Sequence, residues 1–377
     1  MILHCPKVVN LKCGDVYFNI FRQYTTPMGI LRLIFALSVL INHSLDNGSF
    51  IFPAGPSVFS FFIISGFYMA LILDGKYKST LHFYINRTLR IFPIYWLMLF
   101  LTLGLGFTKT YFHIGGDDNA ISHYFHYSAH LNGFEAITEG VNFIVRNLTL
   151  IISKDYFSIN DNNIAGGYLF LYQAWSLQME LLFYLIVPFL LKIKKNFLFF
   201  VALYFIAFHG IIAPMSYVSP NLQSFKFLSF LIYFLLGISS YKYVYKKIQK
   251  IKPNRFYYIA FFLFLAYLIF YQLIPGRVPE HDFYTGMLYY VPFAIGVSFF
   301  FQMTKNNKLD RFVGELSYPI YMSHFIIAKI IYSFPHSDSK LFNTLPITIG
   351  TILFSLILIK FVQNPIDNFR HGKLKKN

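Results

Sequence analysis

The chain has 377 residues, of which 56% are hydrophobic and only 13% charged, and its mean hydropathy is +0.52. Soluble globular domains carry about a quarter charged residues, so this composition excludes a soluble enzyme, a disordered chain and a coiled coil. The formal charge of +16, from 32 Lys+Arg against 16 Asp+Glu, points to basic loops on one side of a membrane rather than to a nucleic-acid partner.

The first 26 residues mix polar and apolar types, with no continuous apolar core and no small-residue cleavage site. They read as a cytoplasmic N-terminal segment rather than a cleaved signal. Cys5 and Cys13 lie there, make no disulfide framework or zinc spacing, and are expected to stay reduced. Ten apolar segments follow, at about 27–46, 55–74, 91–108, 174–191, 197–213, 225–241, 256–274, 284–303, 312–334 and 344–362. Open backbone is intolerable in lipid, and these runs lack the alternation of barrel strands, so an all-α integral membrane fold with about ten transmembrane helices is expected. No repeat of fixed period, the mark of an inverted-repeat transporter, is seen. Residues 363–377 read as a basic cytoplasmic tail.

The connections alternate in charge. With the N-terminus inside, the outside segments hold only Lys109, Arg146, Lys154, Arg277 and Lys340, while the inside segments hold most of the 32 basic residues. Both termini are therefore expected in the cytoplasm. The long outer stretch 109–173 carries a short apolar run at 141–152, read as interfacial or re-entrant, and the histidines His113, His123, His126 and His130. The spacing of His126 and His130 invites a metal, but no acidic or Cys ligand completes a pattern, so solvated histidines and no metal are expected.

Ionisable groups inside spans are costly and are functional candidates by default. Arg32 and His43 share the first span, roughly 16 Å apart on nearly one face at 1.5 Å per residue. Glu180 lies inside the fourth span, His324 inside the ninth, and His209 near the outer end of the fifth. His43 and Glu180 fall at similar depth in the outer half. A carboxylate beside an imidazole holds its tautomer and raises its basicity, the geometry of a general base; a polar pair that only pins two helices is the alternative. Arg87 and Arg90, three apart, can clamp an anion such as a phosphate or can be ordinary inside charge. Ser65-Gly66 can be small-residue helix packing. Ser317, Tyr321 and His324 share a helical face, which suits either a polar channel lining or interhelical hydrogen bonds.

Taken in order, these segments resemble the acyltransferase 3 family of integral-membrane acyltransferases. LRLIFALSVLINH at 31–43 matches its Arg-x10-His, and SFFIISGF at 60–67 its FF-x-x-SGF. FYINRTLRIFPIYW at 83–96 matches the two-arginine loop and helix start. WSLQMELLFY at 175–184 supplies Trp175, Ser176, Glu180, Phe183 and Tyr184, and ELSYPIYMSHF at 315–325 matches Ser-Tyr-x-x-Tyr-x-x-His. One departure is Gln363, where the family often has Glu two residues before a proline; no role is carried to it. Only about 15 residues remain after position 362, so a stand-alone form without a soluble hydrolase-like domain after the last span is expected.

The resemblance implies a membrane O-acyltransferase, most naturally an O-acetyltransferase of the bacterial inner membrane. It would move acetyl from cytoplasmic acetyl-CoA to a hydroxyl of a cell-envelope polysaccharide such as O-antigen, capsule or exopolysaccharide. Its partners would be membrane lipid and a glycan or lipid-linked glycan, with no nucleic acid. On this reading His43 is the base, Glu180 orients it, and Arg32, Arg87 and Arg90 hold the CoA phosphates. Ser65, Ser317, Tyr321 or His324 is a candidate oxyanion donor, and Trp175 a further site candidate. Direct attack and an acyl-histidine intermediate both fit. The rival from another class is a transporter or flippase of a glycan or lipid-linked intermediate, which would move substrate without consuming acyl-CoA.

Overall fold

A computed structural model describes residues 27–45, 52–75, 79–112, 132–150, 169–193, 197–207, 226–251, 254–272, 283–334 and 339–374. Cys5, Cys13, His209 and the four outer-loop histidines lie outside the described residues. The described residues are helical throughout, with no strand among them. In chain order the helices are α1 (Gly29–Ser44), α2 (Ala54–Gly75), α3 (Thr80–Phe112), α4 (Gly133–Thr149), α5 (Trp175–Leu190), α6 (Phe197–Phe205) and α7 (Lys226–Ser239). They continue as α8 (Arg255–Gln272), α9 (Phe283–Thr304), α10 (Lys308–Glu315), α11 (Ser317–Ile331), α12 (Lys340–Leu358) and α13 (Asn364–Leu374).

Helix occupies part of every one of the ten expected apolar segments. Among the described residues, six helical stretches are long and apolar enough to cross a membrane: Ala54–Gly75, Thr80–Gly106, Tyr172–Leu190, Leu228–Ile248, Gly286–Thr304 and Phe342–Arg370. Three shorter apolar helices, at Gly29–Ser44, Phe197–Ala207 and Arg255–Tyr271, fall below that length. The expected segment 312–334 is not one rod. It breaks at Leu316 into α10 and α11, and Ser317 Oγ donates to the Gly314 carbonyl across the break at 2.7 Å. The chain does not leave helix at 362 either; π-helical Ile359–Gln363 joins α12 to α13 without a turn. The part of the 141–152 run up to Thr149 belongs to a longer amphipathic helix, α4, whose Phe134, Ile137, Val141, Ile144 and Leu148 form an exposed apolar face.

Two close crossings set the frame. α2 and α7 meet at Gly66 and Gly237, where an added Cβ would overlap the Phe234 or the Ile63 carbonyl. Around that crossing Phe62 stacks on Phe234 at 4.7 Å, and Phe234 on Phe183 of α5 at 4.1 Å. α1 and α10 meet at Gly29 and Gly314, whose Cα and would-be Cβ lie 2.6 Å apart. α1 also packs on α2, α11 and α12, while α5 packs on α2, α3 and α7. α2 is thus shared by the helices that carry His43 and Glu180.

The crossing at Gly66 is testable. Alanine in place of glycine ordinarily gains about 1 kcal/mol in a helix. At Gly66 or Gly237 the backbone clash reverses the sign, and overpacking of this kind costs about 1–3 kcal/mol. Gly66→Ala and Gly237→Ala should lower the melting temperature of the detergent-solubilised protein, whereas Gly104→Ala, with no atom within 4 Å of the new Cβ, should hold or raise it.

Candidate active site

The start of α1 is tied from outside its own sequence. A helix leaves its first N–H groups unpaired, and α1 has no side-chain cap of its own. Instead Asp310 of α10 accepts from the Ile30 N–H at 3.0 Å, and Thr304 of α9 accepts from the Met28 N–H at 3.1 Å. A carboxylate at a helix N-terminus also meets the positive end of the dipole. Asp310 is completely buried, and its own N–H is capped by Asn307.

Arg32 lies one turn further along, only 8% exposed. A side chain at Gly314 would collide with its guanidinium. Asp310, Glu315 and Arg90 are its charged neighbours. Glu315 is buried, and Gln363 donates an amide hydrogen to its Oε2. Arg90 lines a cleft with Leu89, Pro93, Ile94, Gln363, Ile366 and Asp367. Pro93, which lacks an N–H, cannot donate to the Leu89 carbonyl. Asp367 is paired with Arg370 at 2.9 Å. Among the described residues neither Arg87 nor Arg90 takes a hydrogen bond or ion pair, although Glu315, Asp367 and Glu180 lie within electrostatic range of Arg90. Two cationic forks are therefore left open at this end.

Glu180 sits midway. Ser65 of α2 donates to its Oε1 at 2.7 Å, and Tyr184, one turn along α5, donates to the same oxygen. The other carboxylate oxygen has no partner among the described residues and is not sealed. Above Glu180 the Tyr321 hydroxyl meets Ser176 Oγ at 2.8 Å and donates to the Gln173 carbonyl at 3.1 Å. Gln173 donates on to the Met322 carbonyl at 2.8 Å. Trp175 packs edge-on to Phe62 and tilts over Phe230, walling this stretch with aromatic rings.

The column ends at two histidines. His43, at the exposed last turn of α1, stacks on His324 of α11 with ring centroids 5.6 Å apart and planes 18° apart. Phe325 lies 4.8 Å from the first ring and 4.4 Å from the second. His324 is 2% exposed, and its Nδ1 lies 2.8 Å from the Tyr321 carbonyl. Two unit charges at the separation of these rings repel by about 3 kcal/mol at an effective dielectric near 20, so the pair favours one positive charge at a time.

Three sequence expectations change in detail. Glu180 and His43 make no hydrogen bond or ion pair; α1 and α5 each pack on α2, and equal depth did not make them neighbours. The ring beside His43 is that of His324. Ser317 spends its hydroxyl on the helix break. Tyr184, Ser176, Gln173, Asp310, Glu315 and Gln363 join the site without having been assigned roles. Tyr184 had a local signal, standing four residues after Glu180 on one helix face; the pairing of Ile30 with Asp310 spans 280 positions and had none.

Gln363 gives a direct test of the buried acidic site. Gln363→Glu would set a second carboxylate against Glu315, and an unpaired buried charge costs about 3–5 kcal/mol. The single variant should melt lower, and Glu315→Gln combined with Gln363→Glu should recover most of the loss.

The model of the acyltransferase 3 family, described as an acyltransferase domain, matches residues 28–360. No curated protein and no solved structure matches the chain. The match covers nearly all of the chain, from the start of α1 into the α12–α13 junction, and the chain belongs to this family of acyltransferases.

Proposed function

We propose that this multi-pass membrane acyltransferase moves acetyl from acetyl-CoA in the cytoplasm to a hydroxyl of a cell-envelope polysaccharide, with both termini and the arginine end inside the cell. The observation that carries the reading is the polar column, with open guanidinium forks at one end and paired imidazoles at the other, on helices that otherwise present hydrocarbon. Arg87 and Arg90, helped by Arg32, suit the phosphates of CoA because a guanidinium meets a phosphate through two parallel N–H donors. The thioester arm is a chain of amides and methylenes. Its amide N–H groups need acceptors along the way, and the free oxygen of Glu180 is placed to supply one.

At the far end His43 takes the proton of the acceptor hydroxyl as the oxygen bonds the acyl carbon. Such proton transfer is typically worth 10²–10⁴-fold, as an order of magnitude. His43 suits this part because it is the exposed member of the pair, open to a bulky acceptor. Glu180, in place of orienting that ring, acts from the donor side as a positioning residue.

Arg87→Ala and Arg90→Ala should each raise the KM for acetyl-CoA about tenfold or more, because a hydrogen bond to a charged group is worth about 1.5–3 kcal/mol. An unchanged KM would rule out the clamp. Deleting the gene should remove base-labile O-acetyl groups from the surface polysaccharide, and a His43→Ala copy at normal protein level should fail to restore them. Full restoration by that variant would refute the base assignment.

A further inference from the structure

We propose that His324 is the nucleophile of a two-step transfer, holding the acyl group on Nε2 between donor and acceptor. The inference rests on the acyl-transfer reading above and adds a covalent intermediate and its carrier. A carbonyl oxygen only accepts hydrogen bonds. The 2.8 Å contact between His324 Nδ1 and the Tyr321 carbonyl therefore requires the hydrogen on Nδ1. The neutral ring must then carry its lone pair on Nε2. That atom is buried and without a hydrogen-bond partner among the described residues. An unprotonated imidazole nitrogen of this kind cannot donate to an oxyanion, which removes His324 from the oxyanion candidates. What it can do is accept a proton or attack a carbon.

Exposure decides between the two. His43 stands at the exposed end of α1, where a sugar hydroxyl can arrive, whereas His324 is enclosed behind it and adjoins Tyr321, the next member of the column toward Glu180. The enclosed ring faces the donor side and the exposed ring the acceptor side. In the first step Nε2 bonds the thioester carbonyl carbon, the C–S bond breaks, and CoA leaves as the thiolate. His324 becomes an acyl-imidazolium whose Nδ1–H remains on the Tyr321 carbonyl, a contact that strengthens as the ring gains charge. In the second step His43 takes the hydroxyl proton, the oxygen bonds the acyl carbon, and the bond to Nε2 breaks. His324 returns to the same neutral tautomer, and the proton on His43 passes to water and balances the thiolate. Only one of the stacked rings is positive at each stage, as their separation favours. Burial of Nε2 also shields the acyl-imidazolium from hydrolysis.

The experiment uses the full chain in nanodiscs with radiolabelled acetyl-CoA and no acceptor, followed by neutral quenching and capture with hydroxylamine. The wild type should yield protein-bound acetyl that hydroxylamine releases, and peptide mass spectrometry should place it on His324. His324→Asn keeps an amide N–H for the Tyr321 carbonyl and loses the nucleophile. It should bind CoA normally and trap at least about tenfold less acetyl. His43→Ala should take up label and fail to pass it on, read as O-acetyl content of the surface polysaccharide. Label on His43, or label that survives His324→Asn, overturns the assignment. Wild-type protein that supports O-acetylation yet traps no acetyl also overturns it and leaves the acyl-transfer reading intact. Failure of the wild type to bind CoA at all sinks that reading, and this inference with it. Should His324→Asn not fold, the labelled peptide of the wild type still decides.

Discussion

Everything at the site hangs on how α1 begins. This helix carries the buried arginine and the exposed histidine, roughly 16 Å apart at 1.5 Å per residue, so its position sets both residues together. It has no cap in its own sequence and only sixteen residues with which to hold its register. Asp310 and Thr304 supply the missing acceptors, and the glycines at 29 and 314 let the two backbones come close enough for them to do so. A longer side chain at either glycine would push α1 away from its cap. Arg32 depends on the same contact, since its guanidinium occupies the space that a side chain at Gly314 would fill.

The second constraint is the cost of polar groups in an apolar bundle. An unpaired buried hydroxyl or amide costs about 1–3 kcal/mol, and a charge more. The hydrogen bonds of the column are consistent with that arithmetic. Ser65 and Tyr184 both serve one oxygen of Glu180, Gln363 serves one oxygen of Glu315, and Tyr321 is shared by Ser176 and the Gln173 carbonyl. Among the described residues the arginine forks, one Glu180 oxygen and His324 Nε2 are left without hydrogen bonds, as are the buried hydroxyls of Ser38, Tyr257 and Thr351. The acyl donor proposed above would meet the forks, the Glu180 oxygen and Nε2 with phosphates, then amides, then a carbonyl carbon.

Much of this was legible in the amino-acid order because it is local. Apolar runs of span length predict helices without any knowledge of neighbours, and ionisable residues within them mark the site by their cost alone. Ser65-Gly66 left packing and chemistry open, and both hold: Gly66 makes the crossing with α7 while Ser65 donates to Glu180. The shared face of Ser317, Tyr321 and His324 also resolves into separate tasks, a helix break, an interhelical bond and a free ring nitrogen. What stayed hidden was azimuth. Depth in a span follows from counting residues, but which helices stand side by side follows from packing. Hence His43 and Glu180 share a depth and not a contact, and Asp310, lying in a short charged helix, gave no sign that it caps the first span.

Gln363 shows how a departure from a family pattern can be read physically. With glutamine at this position the residue donates to Glu315, whose other oxygen lies buried near Arg32 and Arg90. A carboxylate could not donate there unless protonated. The glutamine therefore adds no further negative charge beside Glu315 and Asp310, the carboxylates that neighbour Arg32. Asp367 is paired with Arg370 at 2.9 Å. Glu315, Asp367 and Glu180 around Arg90 lower the cost of its charge, yet among the described residues none forms a hydrogen bond or ion pair with it.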